Sequence, residues 1–350
     1  MDVATQGLAS LVVARAFVPR ASWRAWGVIV VAGTIANVDF LSSMMSPGAY
    51  LEWHRTYAHS IVVSLIVSAV LAASYLFVTR DRAEEKTPAR MPGLPKAGGA
   101  PQTAFFMATM FAGLLHLGLD AAQSAGTMIF WPLSHRRVEL DWLPRIDPWI
   151  IAILLAALLL PELTRLVSDE IGAKSKGARG RVGAIVALVA LALYVGLRAD
   201  LHSNAVATLQ NRSYDTGQPH RIAAYADPGS LFVWHGIVET ERALHDPSVN
   251  IMTSARFDPD NGLTLFKPEP SPILAQAQQS EAARKLLATA QFPKADVEKT
   301  ADGYEVEIRD LRYAATGDTK NEIRARIDLD ANGKILNDEL AWARDAVSRR

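Results

Sequence analysis

The chain contains no cysteine. That absence excludes disulfide cross-links, thiolate zinc sites and cysteine nucleophiles. It also lacks net charge, since 36 Lys+Arg balance 36 Asp+Glu, and nothing singles out a nucleic-acid partner. No H-E-x-x-H is present, which removes metalloproteases of that type, and neither a glycine-rich phosphate loop nor a nucleophile elbow stands in its place. Segment 1–18 has no basic residues ahead of its apolar stretch and no convincing cleavage site, so it does not read as a cleaved signal peptide.

What the chain does have is apolar residues, and they are segregated. Half of the residues are hydrophobic while 21% are charged. Residues 1–200 hold nearly all the long apolar runs, with 18 Lys+Arg against 14 Asp+Glu, a net of +4. Residues 201–350 carry 18 Lys+Arg against 22 Asp+Glu, a net of −4, with the periodicity of a soluble domain. Five runs, 26–41, 59–78, 104–121, 149–167 and 182–199, approach the ~20 residues that about 30 Å of hydrocarbon requires, the first being short. The shorter stretch 8–18 reads as a re-entrant or partly buried helix. The expected architecture is an α-helical polytopic membrane bundle over 1–200, with about five spanning helices plus a short N-terminal helix. A soluble α+β domain over 201–350 follows it.

Lys and Arg set the expected orientation. Loop 80–103 holds Arg80, Arg82, Lys86, Arg90 and Lys96, loop 168–181 holds Lys174, Lys176, Arg179 and Arg181, and segment 15–25 has three more. Segment 42–58 has only Arg55, and 122–147 has Arg136, Arg137 and Arg145. With the first three segments cytoplasmic, five crossings of a bacterial inner membrane alternate without conflict, and residues after about 200 become extracytoplasmic. In that part 231–241, 262–267, 303–309 and 322–329 alternate as strands, and the turn Asp330-Ala331-Asn332-Gly333 is expected to pair the last of these with 334–340. Segment 271–291 reads as one amphipathic helix capped by Ser271, with Pro272 at its first position.

Ionisable groups at membrane depth cost roughly 2.5–3.5 kcal/mol each on insertion scales and so tend to carry function. Here His54 and His59 straddle the mouth of the second run, His116 and Asp120 share one face of the third at i, i+4, and Asp39 follows the first. The orientation above brings all five to the extracytoplasmic face. Three imidazoles and two carboxylates suit Zn²⁺, Mn²⁺ or Fe²⁺, with Zn or Mn preferred. Each element also has a plainer reading. His116 and Asp120 make an ordinary buried pair, His54 and His59 are solvated interfacial imidazoles, and Asp39 is a helix-terminal residue. Arg55 snorkels or grips an anion. Arg136 and Arg137, beside tryptophans, are interfacial anchors or bind a lipid phosphate. Asp141 and Asp147 are candidates for a general-base carboxylate. His202, His220, His235 and His245 share no ligand spacing and read as surface or core histidines.

These motifs give the chain a resemblance. His54-Arg55 with His59-Ser60, then His116 and Asp120, Gly126-Thr127 and Trp131-Pro132-Leu133-Ser134 with Arg136-Arg137 resemble the pattern of the YdjM-type membrane-bound metal-dependent hydrolase family. Asp39 matches the second acid of that family's P-D-x-D. The resemblance covers about residues 1–200 and implies a metal-dependent hydrolase at the membrane; the motif does not define the substrate, for which a phosphoester or a lipid-linked compound is the expectation. Two positions depart from the pattern: Thr5-Gln6 stands where the family has T-H, and Asn37 replaces the first acid of P-D-x-D. An imidazole and a carboxylate have become amides, which implies one metal instead of two, or lost catalysis. The alternative expectation is therefore a degenerate relative whose bundle anchors a partner-binding exported domain.

Overall fold

A computed structural model of the chain describes residues 1–85, 100–170, 180–253 and 262–346. Lys86, Arg90, Lys96, Lys174, Lys176 and Arg179, on which the expected orientation partly rests, lie outside the described residues. The helices in chain order are α1 (Val3–Phe17), α2 (Trp23–Ala32), α3 (Pro47–Trp53), α4 (Ile61–Glu85), α5 (Ala100–Ala121), α6 (Pro148–Glu170), α7 (Arg181–Gln210), α8 (Pro272–Gln278), α9 (Glu281–Leu287), α10 (Arg312–Ala315) and α11 (Ala343–Ala346). The chain falls into two compact units. One comprises Met1–Val38, Arg55–Leu140 and Arg145–Gly196, the other Asp39–His54, Asp141–Pro144 and Leu197–Arg350.

In the first unit, four helices are long and apolar enough to cross a membrane: α4, α5, α6 and α7. The expected span 26–41 is not one straight helix. Gly33 caps α2, the Thr34 hydroxyl bonds back to the Val30 carbonyl, and the chain resumes as a 3₁₀ segment, Ile35–Met44, bent by 55°. Asn37 reinforces the break by donating from Nδ2 to the Thr34 carbonyl (3.2 Å). The short N-terminal helix is α1, capped by Asp2, whose carboxylate accepts from Thr5 N (2.9 Å).

α5 is the central helix, with 56% of its span buried against 11% for α4, whose Ile66, Val70 and Phe77 face outward. Ala14, Ala25, Ala72, Ala108 and Ala112 sit in the core between helices, small side chains that let backbones approach where lipid offers no hydrophobic drive. Pro161 lies inside α6 and has no N–H for the Ala157 carbonyl. The Arg15 guanidinium reaches that broken turn, donating from Nη1 to Leu158 O (2.7 Å) and Ala157 O (3.4 Å) and from Nη2 to Glu162 (2.7 Å).

The second unit carries two antiparallel sheets. Strands β1 (Arg221–Ala226), β2 (Val233–Glu239), β3 (Ala243–Asp246) and β5 (Leu263–Phe266) form the first in the order β1-β2-β3-β5, and β4 (Ser248–Asn250) pairs with β2. Trp234, Val238 and Ala224 of this sheet bury against Ala205 and Leu209, late in α7. Strands β6 (Pro293–Lys299), β7 (Gly303–Asp310), β8 (Ile323–Asp330) and β9 (Ile335–Trp342) form the second as a meander. The hairpin expected at Asp330–Gly333 joins β8 to β9.

One face of the second sheet (Val306, Ile308, Ile323, Ala325, Ile327) packs on Ala277, Ala283 and Leu286. These lie on two short helices, α8 and α9, where one long helix is expected. Ser271 caps the first (Leu274 N, 3.2 Å) and Ser280 caps the second (Ala283 N, 3.1 Å), so the chain turns between them. Tyr50 and Leu51 of α3 belong to the same core, which draws segment 39–54 into this unit. The fold class is thus the expected one, a helical membrane bundle followed by an α+β part.

Candidate metal centre

The start of α4 meets the end of α5. Tyr57–His59 form a single 3₁₀ turn, and the hydroxyl of Ser60 then accepts from Val63 N (3.2 Å) to open α4. This leaves His59 fully buried beside the last two turns of α5, where His116 and Asp120 project from one face. Nε2 of His59 lies 3.2 Å from Asp120 Oδ2, and Nε2 of His116 lies 3.3 Å from the same oxygen. The imidazole rings are 5.1 Å apart. Among the described residues these three form the one group of His, Asp or Glu whose donor atoms all fall within 4.8 Å of one another.

The tautomer of His116 follows from its surroundings. Nδ1 sits 2.9 Å from the Gly33 carbonyl, an acceptor, so Nδ1 carries the proton and Nε2 keeps its lone pair. Neither that nitrogen nor Asp120 Oδ2 has a hydrogen-bond partner among the described residues, although both are buried. A buried acceptor left unsatisfied costs about 1–3 kcal/mol, and more when charged. A cation between the two, which lie 3.3 Å apart, would satisfy both. Imidazole nitrogen with carboxylate oxygen is the donor set of a divalent ion such as Zn²⁺ or Mn²⁺. The residues fit the group.

The other carboxylate oxygen is held by the protein. Asp120 Oδ1 accepts from Gln6 Nε2 (2.9 Å), lies 3.4 Å from Arg55 Nη2 and contacts the amino nitrogen of Met1. Gln6 Oε1 in turn accepts from Asn37 Nδ2. The two amides that depart from the family pattern are therefore neighbours in space, joined to each other and to Asp120. Arg55 adopts a left-handed conformation (φ 56°) and donates from Nη2 to Gln123 Oε1 (2.7 Å). Gln123 Nε2 donates to Arg145 O (3.1 Å). The loop after α5 clamps the motif from outside: Thr127 pairs with Val138, Met128 N donates to Arg55 O (3.1 Å), and Ile61 N donates to Ile129 O (3.0 Å).

The remaining sequence candidates are not part of that three-residue group. Asp39 and His54 pair with each other (Oδ1 to Nδ1, 3.2 Å) in the second unit, with the Tyr50 ring stacked on His54 at 4.4 Å. Asp147 caps α6: Oδ1 accepts from Trp149 N (2.9 Å) and Ile150 N (3.1 Å), and Oδ2 from the Tyr194 hydroxyl (2.8 Å). Both oxygens are committed to structure. Asp141 is left-handed (φ 59°) in the second unit. Arg136 is exposed, and Arg137 donates to Gly126 O (3.4 Å). Gln123 and Gly33 escaped the sequence reading. Gln123 follows Asp120 by three residues, just past the end of α5 at Ala121, which is a local signal. The Gly33 carbonyl leaves none.

Residues 1–203 match the family model described as YdjM inner membrane protein, and residues 272–349 match the one described as YfhP C-terminal alpha/beta plait domain. No curated protein and no solved structure matches the chain. The first match spans more than half of the chain and includes His59, His116, Asp120, Arg55 and Gln123. The chain belongs to the YdjM inner membrane protein family.

Proposed function

We propose that the chain is a membrane-bound metal-dependent hydrolase in which His59 Nε2, His116 Nε2 and Asp120 Oδ2 hold one divalent ion, zinc or manganese. One observation carries this: two buried acceptors, His116 Nε2 and Asp120 Oδ2, face each other 3.3 Å apart with no hydrogen-bond partner among the described residues, beside a second imidazole, His59. A bound divalent ion lowers the pKa of a coordinated water toward ~7 and so supplies hydroxide for hydrolysis. The chain supplies the rest. The Gly33 carbonyl orients His116, Gln6 and Arg55 orient Asp120, and Arg55 places a buried positive charge beside the site. That charge suits an anionic substrate, a phosphoester or a lipid-linked phosphate, with Arg136 and Arg137 on the loop that clamps the site. The basic segments favour an extracytoplasmic face for this end of the bundle and for the C-terminal domain.

Metal analysis of the purified full chain in detergent tests the reading. One zinc or manganese per chain, lost in a His116→Ala/Asp120→Ala variant, supports it; metal-free protein refutes it. A periplasm-dependent reporter fused after Arg350 tests the orientation, and an inactive fusion refutes that part.

A second reading has its own observation. Gln6 and Asn37 bring neutral amides to Asp120 where the family pattern has an imidazole and an acid. Bound metal without hydrolysis of phosphoester substrates would favour a catalytically silent relative, whose bundle anchors a partner-binding C-terminal domain.

A further inference from the structure

A cavity of about 850 Å³ opens in the first unit between the end of α1 (Phe17, Val18), the start of α2 (Ser22, Ala25), α4 (Tyr75, Leu76), the start of α5 (Phe105) and the start of α7 (Arg181, Val182). It lies at the far end of the bundle from the metal centre. Phe105 and Asp120 are separated by 15 residues of one helix, a rise of roughly 22 Å at ~1.5 Å per residue. Its walls are mostly apolar, and its polar groups collect on one side: Arg20, Arg181 and the hydrogen-bonded pair of Ser22 Oγ and Tyr75 Oη (3.0 Å).

No Asp or Glu lines it among the described residues. Arg181 is fixed at the rim by donating from Nε to Ala16 O (3.1 Å), which leaves its two terminal nitrogens without a hydrogen bond among the described residues. Arg20 likewise has no acidic partner there. Trp23, 78% exposed at the start of α2 with the Arg24 guanidinium 5.5 Å from its ring, puts this end of the bundle at the depth of a membrane–water interface.

From this we infer that the cavity is a binding site for one anionic phospholipid, its phosphate between Arg20 and Arg181 and an acyl chain along Val18, Leu76, Phe105 and Val182. An apolar slot alone would take any lipid. Two guanidiniums with no acidic partner, in a site with no carboxylate among the described residues, select a negatively charged headgroup. Because the ligand sits at the opposite end from the ion, the inference is independent of hydrolysis.

Native mass spectrometry of the delipidated full chain in neutral detergent tests it, with phosphatidylglycerol, phosphatidylcholine and inorganic phosphate as separate probes. One phosphatidylglycerol per chain is expected, held on the order of tenfold more tightly than phosphatidylcholine. Arg20→Gln/Arg181→Gln should erase the preference, and Val182→Trp, which narrows the apolar wall from an exposed position, should weaken both lipids. Metal content and helical circular dichroism serve as controls for folding in each variant. Equal retention of the two lipids by the wild-type chain, or an unchanged preference in the double variant, overturns the proposal. Displacement of the lipid by millimolar inorganic phosphate also overturns it, in favour of a soluble phosphate site.

Discussion

Gly33→Ala is a small change with a calculable effect on the candidate metal centre. A methyl at this position would fall inside the van der Waals shell of Ser10 Oγ, 3.2 Å from Ser10 Cβ and 3.4 Å from the Ala112 methyl. Ser10 cannot simply rotate its hydroxyl away without giving up its bond to Gln6 O (2.8 Å), and Gln6 is itself bonded to Asp120. α1 or α5 must therefore move, an overpacking cost of about 1–3 kcal/mol. The same movement pulls the Gly33 carbonyl from His116 Nδ1. Disturbing a partner that orients a metal-binding histidine weakens metal affinity by roughly 10–100-fold. Ser10→Ala removes the oxygen and leaves only the two looser contacts, so Gly33→Ala/Ser10→Ala should recover much of both losses. The measurements are zinc or manganese affinity by competition with a chelating dye and thermal unfolding in detergent, run as a double-mutant cycle. Wild-type affinity in Gly33→Ala, or strict additivity of the two substitutions, would refute the reasoning.

Two further outcomes follow from other groups. Asp147→Ala should lower stability by about 1–2 kcal/mol through the lost cap on α6 and leave metal content at the wild-type value, so metal loss would show that Asp147 serves the centre and not the helix. Burial holds the His245 imidazole, between the Thr216 and Thr264 hydroxyls, below its ordinary value of 6.5, with Asp215 opposing. The unfolded chain then takes up that proton first, so its contribution to stability is present above pH 6.5 and is lost as pH falls below it. Denaturant unfolding of the full chain followed by tryptophan fluorescence should show this slope, and a slope undiminished in His245→Gln would rule out a contribution from His245.

Local periodicity carried most of what was legible beforehand. The runs that become α4 to α7 announce themselves by length and apolarity, and the i, i+4 spacing of His116 and Asp120 places both on one face whatever α5 packs against. The break after α2 was less visible, because it depends on the Thr34 hydroxyl and Asn37 amide turning back to the backbone inside an apolar run. β1 and β6 were missed for a related reason. Arg-Ile-Ala-Ala-Tyr-Ala has no strict alternation, and β6 begins with proline. Long-range partners were not legible at all. Nothing near Asp39 or His54 says that they pair with each other, or that Tyr50 and Leu51 join a core built mainly from residues beyond 270.

The side chains gathered at Asp120 also amount to a charge inventory. Asp120 and Arg55 carry opposite charges, and Gln6, Asn37 and Gln123 contribute dipoles but no charge. Filling two family acid-or-imidazole positions with amides removes the negative charge that a second cation would need. A single divalent ion would thus leave the pocket with an uncompensated surplus of positive charge in a low-dielectric setting. Such a pocket would repel further cations and draw in anions.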